Sequence, residues 1–166
     1  MTGAALYTFG SSATDGSSPF SLVQGGDGNF YGTTVYGGTS SQGAIFKVTA
    51  AGAETILHSF GGQPDGSGAL DSKLIRGSDG NFYGVTALGG VKGEGTVFEV
   101  TPTGDETVLY SFGSNGTKDA GLPNSLVQGR DGNFYGTAGG GVNGLGAIFK
   151  IVPLPVPVES VVYSFG

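Results

Sequence analysis

The sequence predicts an all-β chain made of β-propeller blades, each a four-stranded antiparallel sheet, with three blades per chain. Three observations carry this. The string Asp-Gly-Asn-Phe-Tyr-Gly occurs at Asp27 to Gly32, Asp79 to Gly84 and Asp131 to Gly136, 52 residues apart in both cases. Each unit divides into four segments of strand length, rich in Phe, Tyr, Val, Ile and Thr and bounded by Gly, Asp, Asn, Ser and Pro. No 3.6-residue apolar period survives between those breaks. Four strands in roughly 50 residues is the period of a propeller blade.

The segments follow one another in the same order in every unit. Segment a is Ser21-Leu-Val-Gln-Gly25, Lys73-Leu-Ile-Arg-Gly77 and Ser125-Leu-Val-Gln-Gly129. It runs through Asp27-Gly28, Asp79-Gly80 and Asp131-Gly132 into segment b, the Asn-Phe-Tyr-Gly stretch. Asp-Gly between two apolar runs is a strong hairpin signal, and a type I′ turn, with positive φ at both central residues, is expected there. Gly-Gly pairs (Gly37-Gly38, Gly89-Gly90, Gly140-Gly141) lead to segment c, Gly43-Ala-Ile-Phe-Lys-Val48 and its equivalents starting at Gly95 and Gly146. Segment c is apolar on both faces, as a strand sandwiched between neighbouring blades must be: Ile45 points one way, and Ala44, Phe46 and Val48 the other. Gly32, Gly84 and Gly136 inside segment b mark close approach of another backbone. Segment d closes the unit as Glu54-Thr-Ile-Leu-His-Ser-Phe60, Glu106-Thr-Val-Leu-Tyr-Ser-Phe112 and Glu159-Ser-Val-Val-Tyr-Ser-Phe165. The single domain, residues 1–166, thus reads as blade 1 over 20–60, blade 2 over 70–112 and blade 3 over 122–165. A fourth copy of d, Ala5-Leu-Tyr-Thr-Phe-Gly10, makes residues 4–10 an extra outer strand.

Composition supports a folded chain and excludes several functions. Gly contributes 35 of 166 residues and Pro 7, but 11 Phe and 7 Tyr set the chain apart from disordered segments, which are poor in aromatics. The net charge is −6, and seven scattered Lys and Arg make no basic footprint for phosphates, so no nucleic-acid partner is expected. There is no Cys and one His, which removes disulfides, thiolate chemistry and His-rich zinc sites, and no cofactor or metal is expected. No apolar run is long enough to span a bilayer, so no membrane partner is expected, and MTGAALYTFG does not read as a signal peptide.

The motif set (Asp-Gly-Asn-Phe-Tyr-Gly, Gly-Gly, Gly-x-[Ile/Val]-Phe-[Lys/Glu]-[Val/Ile] and a Tyr-Ser-Phe-Gly ending) resembles the Gly-rich tandem repeats called GloVer, of choice-of-anchor bacterial proteins. The resemblance covers nearly the whole chain. It implies a bacterial, extracellular or cell-surface repeat array with no established enzymatic activity.

Candidate site residues recur with the repeat. Asp27, Asp79 and Asp131 in their Gly-Gly-Asp-Gly-Asn-like settings could be read as calcium ligands, but each turn supplies one carboxylate where calcium takes six to eight oxygens, and a turn-stabilising role fits better. Asp15, Asp65 and Asp119 occupy similar places in the loops between d and the next a. Clustered at one end of a propeller channel they could bind a cation or a polar ligand, and the alternative is hydrogen bonding to turn amides. Tyr31, Tyr83 and Tyr135 could stack on sugars or pack between blades. His58 replaces the Tyr found at Tyr7, Tyr110 and Tyr163 and fits an outer-strand position better than a catalytic one.

Three blades are too few to close a propeller, so two apolar flanks would stay exposed. Ring closure by oligomerisation is expected, with a homodimer of six blades favoured over a homotrimer of nine. The expected function is a non-catalytic, self-assembling fragment serving as a structural scaffold or recognition module. The alternative is a multivalent glycan-binding lectin; a hydrolase or lyase is disfavoured because activity tends to break the equivalence of blades and no catalytic group except His58 is unique to one blade.

Overall fold

A computed structural model describes residues 3–12, 14–61, 64–67, 73–114, 120–153 and 158–166. Strands follow where the β-branched and aromatic runs predict them. The first unit forms β1 (Gly16–Gln24), β2 (Phe30–Gly37), β3 (Ala44–Val48) and β4 (Glu54–Ser59). The second forms β5 (Gly66–Ser67), β6 (Ile75–Arg76), β7 (Phe82–Thr86), β8 (Leu88–Gly89), β9 (Thr96–Val100) and β10 (Glu106–Ser111). The third forms β11 (Val127–Gln128), β12 (Phe134–Ala138), β13 (Ala147–Val152) and β14 (Val158–Ser164). Each unit is a four-stranded antiparallel meander, ordered β1-β2-β3-β4, β6-β7-β9-β10 and β11-β12-β13-β14, and β5 pairs separately with β8.

The first strand starts earlier than Phe20. β1 reaches back to Gly16, where Gly16 and Ser17 pair with Gly37 and Tyr36, and an irregularity between Pro19 and Ser21 absorbs the proline on this edge strand. In the second unit the same reach of chain is the β5–β8 pair, and in the third it is an isolated bridge from Pro123 to Ala138.

The turn between the first two strands is not type I′. The Gly28 N–H donates to the Gly25 carbonyl at 3.3 Å and the Gly25 N–H to the Asn29 carbonyl at 2.9 Å. Only Gly28 of this turn has positive φ, +82°. The turn is therefore a three-residue hairpin loop whose last residue is left-handed. Gly77–Asn81 and Gly129–Asn133 repeat the pattern, with φ of +93° at Gly80 and +80° at Gly132. One left-handed glycine suffices because Asp27 stays in the ordinary region, where its carboxylate can cap the turn.

Packing between sheets makes the core. Tyr31, Ile45 and Phe60 of the first unit form one buried cluster with Leu74, Phe82, Phe98 and Val100 of the second. Tyr83, Val85, Val97 and Phe112 of the second unit form another with Leu126, Phe134, Phe149 and Ile151 of the third. The second sheet thus buries one face against the first sheet and the other against the third, and segment c is apolar on both sides for this reason. Within a sheet, the Phe ring of the third strand lies on the Gly of the second. A Cβ on Gly32 would overlap the Ser21 carbonyl and the Phe46 ring, and one on Gly136 would overlap the Ser125 carbonyl and the Phe149 ring.

Residues 4–10, expected as an extra outer strand, are not in a ladder: no strand is assigned within 3–12. Their sequence is that of a fourth strand, but among the described residues no strand is laddered with them. They dock instead through side chains. The Phe9 ring meets Phe46 edge-on at 4.8 Å between centroids, as Phe60 meets Phe98 at 5.4 Å and Phe112 meets Phe149 at 5.1 Å.

Two substitutions test this packing by urea denaturation. Gly32→Ala, which overpacks a backbone-lined contact, is expected to destabilise by at least about 1–3 kcal/mol. Phe98→Ala, which empties the first inter-sheet cluster, is expected to cost about 3–5 kcal/mol.

Candidate functional site

The repeated Asp-Gly-Asn-Phe-Tyr-Gly string is one hydrogen-bonded device. Asp27 Oδ1 accepts from the Asn29 N–H at 3.2 Å, and its Oδ2 accepts from Asn29 Nδ2 at 2.6 Å and from the Tyr31 hydroxyl at 2.8 Å. Asp79 does the same with Asn81 and Tyr83, and Asp131 with Asn133 and Tyr135. The Tyr31 and Asn29 donors hold the Asp27 carboxyl below the usual range, and those of Asn133 and Tyr135 do the same for Asp131. Burial and the Asp27 bond push the Tyr31 phenol up to about 12. The Tyr31 ring stacks on Phe82 of the next sheet at 4.2 Å, and the Tyr83 ring meets Phe134 at 4.3 Å. Tyr31 and Tyr83 are buried there, so their faces are closed to a sugar; Tyr135 is half-buried.

Asp15 and Asp65 sit in equivalent loops and are both turned inward onto chain donors. Asp15 Oδ2 accepts from the Gly10 N–H at 2.8 Å, the Ser11 N–H at 3.0 Å, the Ser11 hydroxyl at 3.2 Å and the Tyr7 hydroxyl at 3.0 Å. Burial works against its charge, but the Ser11, Tyr7 and Gly10 donors outweigh it and hold the carboxyl low. Asp65 Oδ2 accepts from the Gly61 N–H at 3.0 Å and lies 3.0 Å from His58 Nε2. Asp119 lies outside the described residues. The two described aspartates clamp their own loops, the second of the arrangements the sequence left open.

One residue of this cluster was not singled out from the sequence. Glu106, the first residue of β10, approaches the His58–Asp65 pair, and the three donor atoms lie within 4.8 Å of one another. Its Oε1 is buried without a hydrogen-bond partner, as is Oε1 of Glu54 beside Asp15. Burial and the charge of Asp65 raise the Glu106 carboxyl to about 7, against the pull of His58. Burial and Asp15 raise Glu54 likewise. Burial opposes the charged form of His58, but the bond to Asp65 and the charges of Asp65 and Glu106 raise its pKa above the ordinary imidazole value. The signal was in the repeat: Glu opens segment d at 54, 106 and 159, and a carboxylate kept at a strand start in an apolar setting calls for an explanation. Chemically the cluster holds a proton or a positive charge among three groups. Among the described residues no hydroxyl is hydrogen-bonded to His58, so no nucleophile–base pair is formed there.

Comparison with known proteins follows the fold. The profile described as the Gloeobacter/Verrucomicrobia repeat matches residues 2–166. A search of curated proteins finds no match. Among solved structures, the chain is similar to a structural-genomics protein of unknown function from Bacteroides thetaiotaomicron, with 17% identity and a TM-score of 0.61 over 96% of this chain and 38% of that one. It is similar to the extracellular domain of a protein described as a one-component system of the same organism, with 15% identity and a TM-score of 0.59 over 96% of this chain and 20% of that one. It is also similar to a gluconolactonase from Xanthomonas campestris, with 11% identity and a TM-score of 0.51 over 82% of this chain and 43% of that one. The chain thus spans less than half of each of these proteins, and likeness at such identities concerns fold alone.

The titrations of Glu106 and His58 run in the same direction. Both folded pKa values lie above the unfolded ones, so both groups stabilise at low pH and lose that contribution as pH rises through the folded values. The melting temperature is expected to fall between about pH 5 and about pH 8. Glu106→Gln should shallow this slope and melt above the unsubstituted chain at the upper end, as differential scanning calorimetry can show.

Proposed function

The chain belongs to the Gloeobacter/Verrucomicrobia repeat family, and from that premise we propose that it is a non-catalytic β-propeller module acting outside the cell as a structural scaffold. The observation that carries this reading is where the repeated polar groups are spent. Asp27, Asp79 and Asp131 hold their hairpins and the tyrosine of the same hairpin, and Asp15 and Asp65 hold their loops. Where an enzyme invests unique groups in one cleft, this chain invests equivalent groups in equivalent joints. The similar extracellular domain of the one-component system supports an outside location, and no helix among the described residues is long and apolar enough to cross a membrane.

His58 departs from the Tyr of the equivalent positions, and it supports the same reading. Its bond to Asp65 stands where Tyr7 bonds Asp15, at the same 3.0 Å. His58→Tyr, which restores the residue of the other units, is therefore expected to fold with a melting temperature within a few degrees of the unsubstituted chain, read by circular dichroism. A glycan array together with a panel of glycoside and lactone substrates tests the function. Background binding and no turnover are expected. A saturable glycan signal would favour the lectin reading, and turnover abolished by His58→Ala would overturn the scaffold reading.

A further inference from the structure

The two outer flanks of the chain are the two halves of one of its own internal joints. The same residue meets different surroundings in different units. Leu74 and Leu126 on the first strands of the second and third units are each 5% exposed, because the preceding sheet covers them; Leu22 at the same place in the first unit is 65% exposed. Phe60 and Phe112 at the ends of the last strands are fully buried under the following sheet, whereas Phe165 is 47% exposed. Val127, Tyr135, Ile148 and Phe165 repeat on the third sheet the residues Val23, Tyr31, Ile45 and Phe60 that the first sheet presents to the second. Leu22, Phe30, Phe46 and Val48 repeat the receiving residues Leu74, Phe82, Phe98 and Val100.

The receiving flank is partly plugged in a telling way. Leu22, Phe30, Phe46 and Val48 line an apolar groove of about 380 Å³ together with Leu6 and Phe9. Phe9 sits on Phe46 where Phe60 sits on Phe98. What the groove lacks, against the internal joint, is the Tyr and the Ile that Tyr31 and Ile45 supply one joint further on.

We infer that this groove takes the third sheet of a second copy of the chain, with Tyr135 stacking on Phe30 and Ile148 entering beside Phe46, so that two chains close head to tail into one ring of six sheets. The internal joints specify the polar contacts as well. The Ser78 N–H donates to Gln128 Oε1 at 2.9 Å across the second joint, and by register Arg130 of one copy faces Gln24 of the other. A heterologous contact repeated by a closing rotation gives a finite ring. This chain covers 43% of the Xanthomonas protein, so two copies would span most of a chain of that fold. Only one ring can occupy the seat on Phe46. β14 is paired with β13 from Val158↔Val152 to Ser164↔Ala147, whereas residues 3–12 form no strand, so Phe165 of the second copy displaces Phe9. This inference goes beyond the scaffold reading and does not depend on it, since an enzyme could close in the same way.

Light scattering after size exclusion tests it. The 166-residue chain is expected at twice its 16.5 kDa mass. Leu22→Asp, at an exposed position, and Ile148→Glu, at a half-buried one, should each give monomers with unchanged far-ultraviolet circular dichroism, because each spoils one half of both joints. Mixed in equal amounts they should pair again, since the mixture contains one intact joint. Deleting residues 1–10 should lower the concentration at which dimers form. A monomer at every concentration, a trimer, an open polymer, dimers that survive either substitution, failure of the mixture to pair, or loss of dimers on deleting 1–10 would each overturn the assignment.

Discussion

The structure rests on one contact made between neighbours: a tyrosine ring of one sheet lying on a phenylalanine ring of the next. A lone four-stranded meander of this size has two apolar faces and no interior, and it gains its burial from the sheets on either side. An aromatic pair contributes about 0.5–1.5 kcal/mol beyond its area and fixes an orientation. Orientation is what a joint between sheets needs, and the hairpin supplies it. The phenol of Tyr31 is tied back to Asp27 in its own turn at 2.8 Å, so the ring is set by the turn before it meets Phe82. The turn, the ring and the joint are therefore one unit of design, which is why the six residues recur together and not as scattered positions.

Much of this was legible in the residues. The 52-residue period, the strand segments and the double-sided apolar character of Ala44-Ile-Phe-Lys-Val48 all follow from local chemistry and alternation, and the sheets carry them out. The turn type is not legible locally because Asp-Gly is the mark of two different hairpin loops, and the deciding fact, that the Asp carboxylate is needed to cap the turn and reach the Tyr, lies four residues away. The likeness of residues 4–10 to the other last strands predicts a strand. Likeness of sequence does not supply the neighbouring strand that a ladder requires. The role of Glu106 is not legible because its partners, His58 of the previous unit and Asp65 of the loop between the units, meet it only once the sheets are packed.

The joints also explain how the units are allowed to differ. Across the first joint His58 meets Asp65 and Glu106, whereas at the first unit's own entry Tyr7, Asp15 and Glu54 play corresponding parts. Near the turn, Lys47 and Lys150 lie within 4.0 Å of Asp27 and Asp131, whereas the second unit has Glu99 at that place, bonded to Asn81 at 2.5 Å. The periphery trades one polar solution for another, at small energetic cost for exposed pairs. The buried rings do not vary in this way, because a change there would be felt by two sheets at once.

The meander order of each sheet has a consequence in time. Within each four-stranded sheet every strand pairs with the next strand of that sheet, so the contacts that define the sheet are complete once its last strand exists. Low sequence separation of contacts favours fast formation, and proteins of stacked repeats propagate structure from one repeat to the next. A nascent chain leaving the ribosome would finish its first sheet before the second is made and then offer it as the surface on which the second condenses. Translation order and assembly order coincide, and the aggregation-prone interval for the face that each internal joint covers is only as long as the synthesis of one further repeat.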